Sequence, residues 1–562
     1  MRGGFLFCFP IRKHFNLEVI IMFIKLAMIV VFFAVTVVMG ILSARSAKGL
    51  DGFVLGGRSV GPWLTAFSFG TSYFSAVIFI GYAGRFGWNF GLASTWIGLG
   101  NAFIGSLMAW MLLGRRTRVM TQHLGSRTMP DFFGLRYKSK TLRLVAAVIV
   151  FVFLIPYTAS LFNGLAQLFS ASFSLPYWGW VLIMAVLTGV YVIVGGYMGS
   201  AVNNFIQGII MLVGIVAIIA AVLNSNGGLT EAIAKLSEGS TTTAVGTEFK
   251  GAYTSFLGPQ PLQLLGVVIL TSLGTWGLPQ MVGKFYAIKD EGAIKKGTVI
   301  STVFAVIVAG GCYFLGGFGR LYADSVTMNQ AGTAPASFDA IIPAMLSAVE
   351  ESLGAGGTWL IGLVLILVLA ASMSTLSSLA MTSASTITLD LIAPLSKKEK
   401  SEKSNLLIMR LLLAASIIIA AAIAILVVTG KEIASKLYIS DLMGISWGAL
   451  AGCFLAPFLY GLYWKKTTKA AVWVSFATGL GITLTQFILN AVCKITFENP
   501  VLAYFCGSSI NAGMLAMVVG LVMVPVVSLL TRKTCPAGTE EIFACYDRMV
   551  TVPVGTALED EA

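Results

Sequence analysis

Charged residues are scarce in this chain of 562 residues. Asp, Glu, Lys and Arg together make up 11 % of it, whereas hydrophobic residues make up 57 %. A soluble domain carries about 25 % charged residues, so this chain lacks the polar surface that a water-soluble fold needs. Its apolar residues come in runs of about 20 or more, the length of a helix that spans a bilayer. The sequence therefore predicts an all-α integral membrane protein.

Ligands for transition metals are also nearly absent. Histidine occurs only at His14 and His123, and none of the seven cysteines forms a Cys-x-x-Cys pair or lies near a histidine at ligand spacing. Cys493 and Cys506 flank one predicted outside loop; a disulfide between them is one interpretation, and free thiols are the simpler one. Because the apolar runs also contain almost no acids or bases, they do not predict a membrane enzyme.

Thirteen apolar segments are long enough to cross a hydrocarbon core of ~30 Å as helices. Glycine, proline and clusters of charge separate them. They lie near residues 18–43, 61–84, 91–114, 142–172, 176–197, 201–224, 262–282, 293–320, 357–388, 405–428, 433–463, 467–493 and 509–531.

Lysine and arginine are concentrated in alternate connections, namely those after the third, seventh, ninth and eleventh segments, and in the tail. The longest opposite connection, residues 321–356, has neither. Because short basic loops remain in the cytoplasm, we predict a multi-pass cell-membrane protein with its N-terminus outside and its C-terminus in the cytoplasm. The same pattern accounts for the net charge of +13 without nucleic-acid binding. The basic residues before Met22 would lie on the wrong side, which makes Met22 an alternative start to Met1.

Two of the thirteen segments have Gly, Ser and Thr where the bilayer centre is expected. These are residues 65–76 of the second segment and residues 271–279 of the seventh. Since they lie five segments apart, they cross the membrane in opposite directions, as matching parts of an inverted repeat do. Broken helices at such positions form the substrate and ion sites of many transporters. Close packing of helices through small residues is the alternative, and it needs no ligand.

The ninth segment has a third unusual feature: nine of the fifteen residues 372–386 are Ser or Thr. Ala371, Ser374, Thr375 and Ser378 fall on one helical face. Hydroxyl groups are hard oxygen ligands without charge, and together with free carbonyls they suit a weakly held monovalent cation. Hydrogen bonding between helices is the alternative interpretation.

Four short stretches, in this order and spacing, resemble the sodium:solute symporter family, and the resemblance covers most of residues 50–470. They are Gly56-Gly57-Arg58-Ser59-Val60-Gly61-Pro62, Thr128-Met129-Pro130-Asp131-Phe132-Phe133, Gly195-Gly196-Tyr197 leading to Gln207-Gly208, and Ala370-Ala371-Ser372-Met373-Ser374-Thr375-Leu376-Ser377.

The apolar segments predict about 13 transmembrane helices, and the resemblance implies that they contain a five-plus-five inverted repeat. The divisions are residues 1–60 (N-terminal segment and first helix), 61–224 (first repeat), 262–464 (second repeat), 465–531 (two peripheral helices) and 532–562 (cytoplasmic tail). It also implies a sodium site made by the backbone carbonyls of Thr71, Phe74 and Ala371 and by the hydroxyls of Ser374 and Thr375.

Many members of this family have an aspartate where this chain has Asn204, and in some relatives that aspartate joins two serines in a second sodium site. The corresponding serines here are Ser377 and Ser378, but the carboxylate is missing. We therefore expect one sodium ion per cycle.

By family position, the solute should lie beside the two breaks. The residues that this implies are Tyr73, Ser75, Thr271, Thr275 and Trp276, and less directly Tyr157, Asn163 and Gln167 of the fourth segment. Two ionisable residues also lie in or near the segments. Arg85 either attracts an anionic solute or extends to lipid head groups, and Asp441 has no obvious basic partner in the sequence.

The resemblance thus predicts a sodium-coupled secondary active symporter that imports a small organic solute by alternating access. The stretch from Thr128 to Phe133 is closer to the proline-like branch, which favours an amino acid or small carboxylate. A proton-coupled transporter of the same fold and a sensor derived from a transporter are the alternatives. The expected partners are the solute, sodium and the lipid bilayer, with no obligate protein partner evident.

Overall fold

The chain folds almost entirely into helices. The computed structural model describes residues 11–44, 49–173, 175–242, 248–396, 401–429, 439–493, 495 and 497–547. Within these residues the strands are two short antiparallel ones, β1 (Ser240–Thr242) and β2 (Glu248–Lys250), with Thr241 opposite Phe249.

The α-helices that precede the strands are α1 (Ile11–Ala44), α2 (Gly49–Leu55), α3 (Pro62–Tyr73), α4 (Ala83–Phe90), α5 (Thr95–Gly100), α6 (Arg115–Leu124), α7 (Met129–Arg136), α8 (Lys140–Ser172), α9 (Tyr177–Ser225) and α10 (Leu229–Ser237). Those that follow are α11 (Pro261–Leu273), α12 (Pro279–Ala287), α13 (Glu291–Ala305), α14 (Gly311–Gly317), α15 (Ile341–Leu353), α16 (Ala355–Thr386), α17 (Ala393–Leu395), α18 (Glu402–Thr429), α19 (Ile439–Tyr463), α20 (Lys469–Phe487), α21 (Pro500–Cys506), α22 (Ser509–Leu530) and α23 (Thr539–Phe543). Wider π-helical turns continue several of them, including Val77–Tyr82 before α4 and Asn101–Met108 after α5.

The described residues contain ten helical runs that are long and apolar enough to cross a membrane, or eleven if the bent pair α11 and α12 is one span. The predicted thirteen separate helices are therefore not reproduced. One reason is that the predicted second and third segments share the 48-residue run Val77–Leu124. The other is that the predicted fifth segment is represented by a shorter apolar helix, Tyr177–Val190, at the start of α9.

The two segments with glycine and hydroxyl residues at their centres are broken, as predicted. α3 ends at Tyr73 because Phe74 is extended (φ −102°, ψ 107°), and helical structure resumes before Val77. α11 gives way to a 3₁₀ turn over Gly274–Gly277, and the chain bends by 46° into α12. Pro279 begins α12, a position where the missing N–H of proline costs no helical hydrogen bond.

α16 and α19 lie at the centre of the bundle. In their most apolar stretches 83 % and 94 % of residues are buried, compared with 33 % in α18, whose exposed apolar face suits contact with lipid. α19 packs against α8, α20, α22 and the 3₁₀ turn of the second break, whereas α16 packs against α3, α8 and α9. The central helices therefore lie against the breaks, α16 against the end of α3 and α19 against the 3₁₀ turn of the second break.

Polar contacts connect the outlying helices to this bundle. Lys25 of α1 forms an ion pair with Glu350 of α15 at 2.7 Å. Near the other end of the chain, the hydroxyl of Tyr546 donates to the backbone carbonyl of Arg116, and Lys465 pairs with Glu540. The cysteines of the described residues, including Cys493 and Cys506, are free thiols.

Candidate ion and solute site

The hydroxyl groups of α16 meet the broken end of α3. Ser374 Oγ donates to the carbonyl oxygen of Thr71 at 2.9 Å, and Thr375 Oγ1 lies 3.2 Å from the same oxygen and 3.4 Å from the carbonyl oxygen of Ser72. Both hydroxyls also approach the carbonyl oxygen of Ala371, at 2.9 and 3.0 Å. We call these five oxygens, from Thr71, Ser72, Ala371, Ser374 and Thr375, the oxygen cluster.

The break in α3 explains why these carbonyls are available. The last four carbonyl groups of a helix lack partners within that helix, and here the carbonyl of Gly70 is bonded by the N–H of Phe74. Those of Thr71 and Ser72 accept from side chains of α16 instead. The side chains concerned are buried, at 0 to 1 % exposure. The cluster thus offers only uncharged oxygens, which is the ligand type that hard monovalent cations accept.

Four of the five residues predicted to bind sodium are therefore brought together: Thr71, Ala371, Ser374 and Thr375. Phe74, the fifth, lies in the extended stretch immediately after α3, where its ring stacks on that of Tyr73 with 4.3 Å between centroids. Its carbonyl belongs to the unwound backbone beside the cluster.

The residues predicted to contact the solute divide into two groups. Tyr73 bridges the breaks, because its hydroxyl donates to the carbonyl of Thr271 at 2.5 Å. Ser75 lies within the first break and accepts from the N–H of Val77 at 3.3 Å. Thr275 and Trp276 instead face the helical segment Asn101–Met108, where they donate to the carbonyls of Gly105 and Ile104 at 3.1 and 3.0 Å.

Trp447 of α19 is an aromatic residue at the site that the sequence reasoning did not identify. Its ring lies 6.0 Å from the ring of Tyr73 and 6.0 Å from that of Tyr157. It also abuts the second break, since a Cβ added to Gly274 would lie 3.4 Å from the indole. Both residues are buried, and the hydroxyl of Tyr157 interacts with the side chains of Ser75 and Trp447. Tyr73, Tyr157 and Trp447 thus form an aromatic group at the breaks, and the hydroxyl of Tyr157 and the indole N–H of Trp447 are polar edges of this group.

The other two residues of the fourth segment lie farther from this group. Asn163 accepts a hydrogen bond from the hydroxyl of Tyr177 at the start of α9, and Gln167 is half-buried one turn further along α8. The sequence marks the position of Trp447 only by the small residues around it, with glycine at 444 and 448, which indicate close packing against a neighbouring segment.

A cavity approaches the oxygen cluster from one side. Its wall includes Arg127 and Thr128 at the outer end and Ser68, Ser377 and Ser378 at the inner end. Arg127 belongs to the strongly basic connection between the predicted third and fourth segments. The cavity therefore opens on the side that the charge pattern assigns to the cytoplasm.

On the opposite side, Arg85 closes the bundle against α19. Its guanidinium donates to Asp441 Oδ1 at 3.0 Å and to Ser440 Oγ at 2.6 Å. Asp441 therefore has the basic partner that its sequence neighbourhood does not offer. The two side chains keep 22 and 20 % exposure, so the guanidinium of Arg85 is held by an ion pair within the bundle.

These features define the class of protein. Two interrupted helices in a multi-pass bundle, one of which turns its free carbonyls toward a hydroxyl-rich central helix, are the site architecture of secondary transporters. A profile described as Sodium:solute symporter family matches residues 53–479. The chain belongs to the sodium:solute symporter family, and it is a multi-pass membrane protein.

Known relatives agree with this assignment. The chain is 28 % identical over 467 residues to the sodium/proline symporter of Staphylococcus aureus strain JH9, and equally to that of strain NCTC 8325 / PS 47; the match covers 80 % of this chain and 83 % of each relative. Its fold is similar to a solved structure of a Na⁺-coupled sialic acid symporter in a substrate-bound, outward-open state. That match has a TM-score of 0.69 at 18 % identity, and it covers 90 % of this chain and 97 % of the other.

Proposed function

We propose that this protein imports a small organic solute together with one sodium ion by alternating access. The observation that carries the proposal is the contact of Ser374 and Thr375 with the free carbonyl of Thr71. This contact brings the backbone at the broken end of α3 together with the hydroxyls of α16, in a buried site whose ligands include no carboxylate. Thr71, Phe74, Ala371, Ser374 and Thr375 are the proposed sodium ligands.

The solute is proposed to lie beside the two breaks, against Tyr73, Ser75, Thr271 and the ring of Trp447. Thr275 and Trp276 hold the second break against the helical segment Asn101–Met108. Aromatic side chains with one polar edge suit a small solute that has both apolar and polar parts. The similarity to sodium/proline symporters over 467 residues supports an amino acid or small carboxylate as the solute class.

The proposed architecture has thirteen spans with residues 61–224 and 262–464 as inverted halves. A run of 48 residues would be ~72 Å long as one straight helix, more than twice the ~30 Å core. Dividing Val77–Leu124 at Gly91 and α9 at Gly196, both with positive φ, restores thirteen. The pair of Lys25 and Glu350 supports an outside N-terminus, because it joins the N-terminal part of the first span, Ile20–Ser43, to the connection 321–356, which contains no lysine or arginine. The contact of Tyr546 with Arg116 supports a cytoplasmic C-terminus.

The driving force suffices for accumulation. One positive charge that moves inward gains ~2.3 kcal/mol per 100 mV, and a tenfold sodium excess outside adds about 1.4 kcal/mol. Together they sustain a solute gradient of roughly several hundredfold, since each 1.4 kcal/mol is a factor of ten.

The test is uptake into proteoliposomes of labelled proline, other amino acids, short carboxylates, pantothenate, sugars and sialic acid. Each is measured with an inward sodium gradient and again with choline. Accumulation of one solute only in the presence of sodium supports the proposal. A measured ratio of two sodium ions per solute molecule would contradict the proposal that one sodium ion moves in each cycle. Equal accumulation in choline with a pH gradient would instead support a proton-coupled transporter, and binding without accumulation would support a sensor.

A further inference from the structure

Lys284 is a buried cation that the transport site described above does not use. It lies in the last turn of α12 and is 6 % exposed. Its ammonium group donates to Ser378 Oγ at 3.0 Å, and it lies 5.4 Å from the centroid of the Tyr197 ring. In the described part of the chain no carboxylate forms an ion pair with it.

The surroundings of Lys284 are therefore neutral. Burial of a charge without a paired counter-charge is costly, and an ionisable side chain inside a membrane protein is a functional candidate for that reason. A hydroxyl oxygen and an aromatic face are also the groups that hold a bare monovalent cation. The ammonium is thus bound as a small cation would be.

A short chain of contacts links this ammonium to the oxygen cluster. Ser378 Oγ, its acceptor, lies 2.7 Å from Ser72 Oγ and donates to the carbonyl of Ser374 at 3.1 Å. Ser72 and Ser374 both contribute oxygens to the cluster. Lys284, Ser377 and Ser378 line the inner end of the cavity. The ammonium group therefore lies where the cavity approaches the oxygen cluster.

We propose that the ammonium of Lys284 is a built-in second cation at the cytoplasmic end of the ion path. It occupies the hydroxyl of Ser378, one of the two that a second sodium ion would need, and its charge lowers the affinity of the cluster for sodium, which favours release into the cell. The inference rests on the proposed sodium site. The inference adds Lys284 to that site as the residue that sets how many sodium ions bind and how tightly they bind.

Asn204 agrees with this role. Its side chain is fully buried, and neither Oδ1 nor Nδ2 has a hydrogen-bond partner among the described residues. It lies on α9 one turn after Ser200, which lines the cavity, and one turn before Gly208, where a Cβ would lie 3.0 Å from Thr71 Cγ2. Position 204, which faces the inner end of the ion path, is therefore a neutral amide. The fixed positive charge of Lys284 takes the place of a second, mobile sodium ion.

The expected effect follows from Coulomb's law. The ammonium is about 8 Å from the cluster, counted as one helical turn of ~5.4 Å plus a hydrogen bond. At an effective dielectric constant of about 20, repulsion at that distance corresponds to roughly 30-fold in sodium affinity. Partial hydration of the cavity reduces this, so we expect a change of about tenfold or more.

The experiment measures binding of ²²Na⁺ to the purified full-length protein, with no solute required. Lys284→Gln and Lys284→Met should each bind sodium about tenfold more tightly than the unmodified protein, whereas Lys284→Arg should keep its affinity. Lys295→Gln, which removes an equal but exposed charge from the same side, is the matched control. Lys284→Gln combined with Asn204→Asp should bind two sodium ions instead of one.

Equal sodium affinity in Lys284→Gln, Lys284→Met and Lys295→Gln would overturn the inference, and so would a double variant that still binds one ion. Lys284→Arg shows whether the position tolerates substitution, and thermal unfolding of each variant shows whether it is folded. If the unmodified protein binds no sodium at all, the proposed function fails first. That result is distinct from normal sodium binding that is indifferent to Lys284.

Discussion

Replacement of Ser374 by alanine is the sharpest test of the oxygen cluster. The substitution removes one hydroxyl that contacts the carbonyls of Thr71 and Ala371, both at 2.9 Å. It leaves the backbone path and the burial of α16 unchanged. The two carbonyls lose a donor, and a sodium ion in the cluster loses one of its side-chain ligands.

The magnitude follows from the energy of a polar contact with a charge. A hydrogen-bond-strength interaction with an ion contributes about 1.5–3 kcal/mol, which corresponds to a rise of about 10- to 100-fold in the sodium concentration for half-maximal uptake. The assay is the initial rate of solute uptake in proteoliposomes as sodium is varied. The KM for solute at saturating sodium should change much less, because the hydroxyl contacts the ion and not the solute.

Ser416→Ala is the matched control. Ser416 is 6 % exposed, and its hydroxyl donates to the carbonyl of Leu412 within α18 at 2.8 Å. It therefore loses a similar buried hydrogen bond outside the site. If Ser374→Ala and Ser416→Ala show the same sodium dependence of uptake, the oxygen cluster does not bind the coupling ion, and the proposed sodium site is wrong.

Three further outcomes are expected. Trp447→Phe should raise the KM for solute about fivefold through loss of the indole N–H, while sodium binding without solute stays the same; a parallel change in both would place Trp447 at the ion instead. Gly87→Ala should lower the melting temperature markedly, because its Cβ would lie 2.0 Å from the carbonyl oxygen of Gly316, whereas Gly481→Ala, with open space around it, should not. Burial raises the pKa of Asp339, which lies outside the membrane-spanning helices, from 3.8 to about 7. The folded state therefore holds a proton that the unfolded state releases, so stability should fall as the pH rises from about 4 to about 7, and Asp339→Asn should lessen that fall in melting temperature.

The local features of the site could be predicted because they are written in short stretches of sequence. The spacing of Ser374 and Thr375 follows from helical periodicity. The breaks follow from Gly, Ser, Thr and Pro at positions where a lipid-facing helix would be aliphatic. The encounter of Ser374 with Thr71 across 303 residues required the resemblance to a family, because no pattern within either segment specifies its partner.

Contacts made only by tertiary packing could not be predicted in this way. Trp447 looks like one more aromatic residue of an apolar span until Tyr73 and the second break lie beside it. The partner of Asp441 is Arg85, 356 residues away. The thirteen predicted segments do not appear as thirteen separate helices, because hydropathy marks apolar length and does not show how neighbouring segments are joined. In Val77–Leu124 and in α9 the junction is a single glycine with positive φ, Gly91 or Gly196, within a continuous helical run.

The main-chain contribution to the oxygen cluster has an evolutionary consequence. Mutation alters side chains and leaves carbonyl groups in place, so the part of the site that Thr71, Ser72 and Ala371 supply through their backbones persists through substitutions at those positions. Tyr73, Ser75 and Trp447, by contrast, present side chains. Substitutions of a few side chains at the breaks can therefore change which solute this scaffold accepts, while the backbone oxygens of the cluster stay the same.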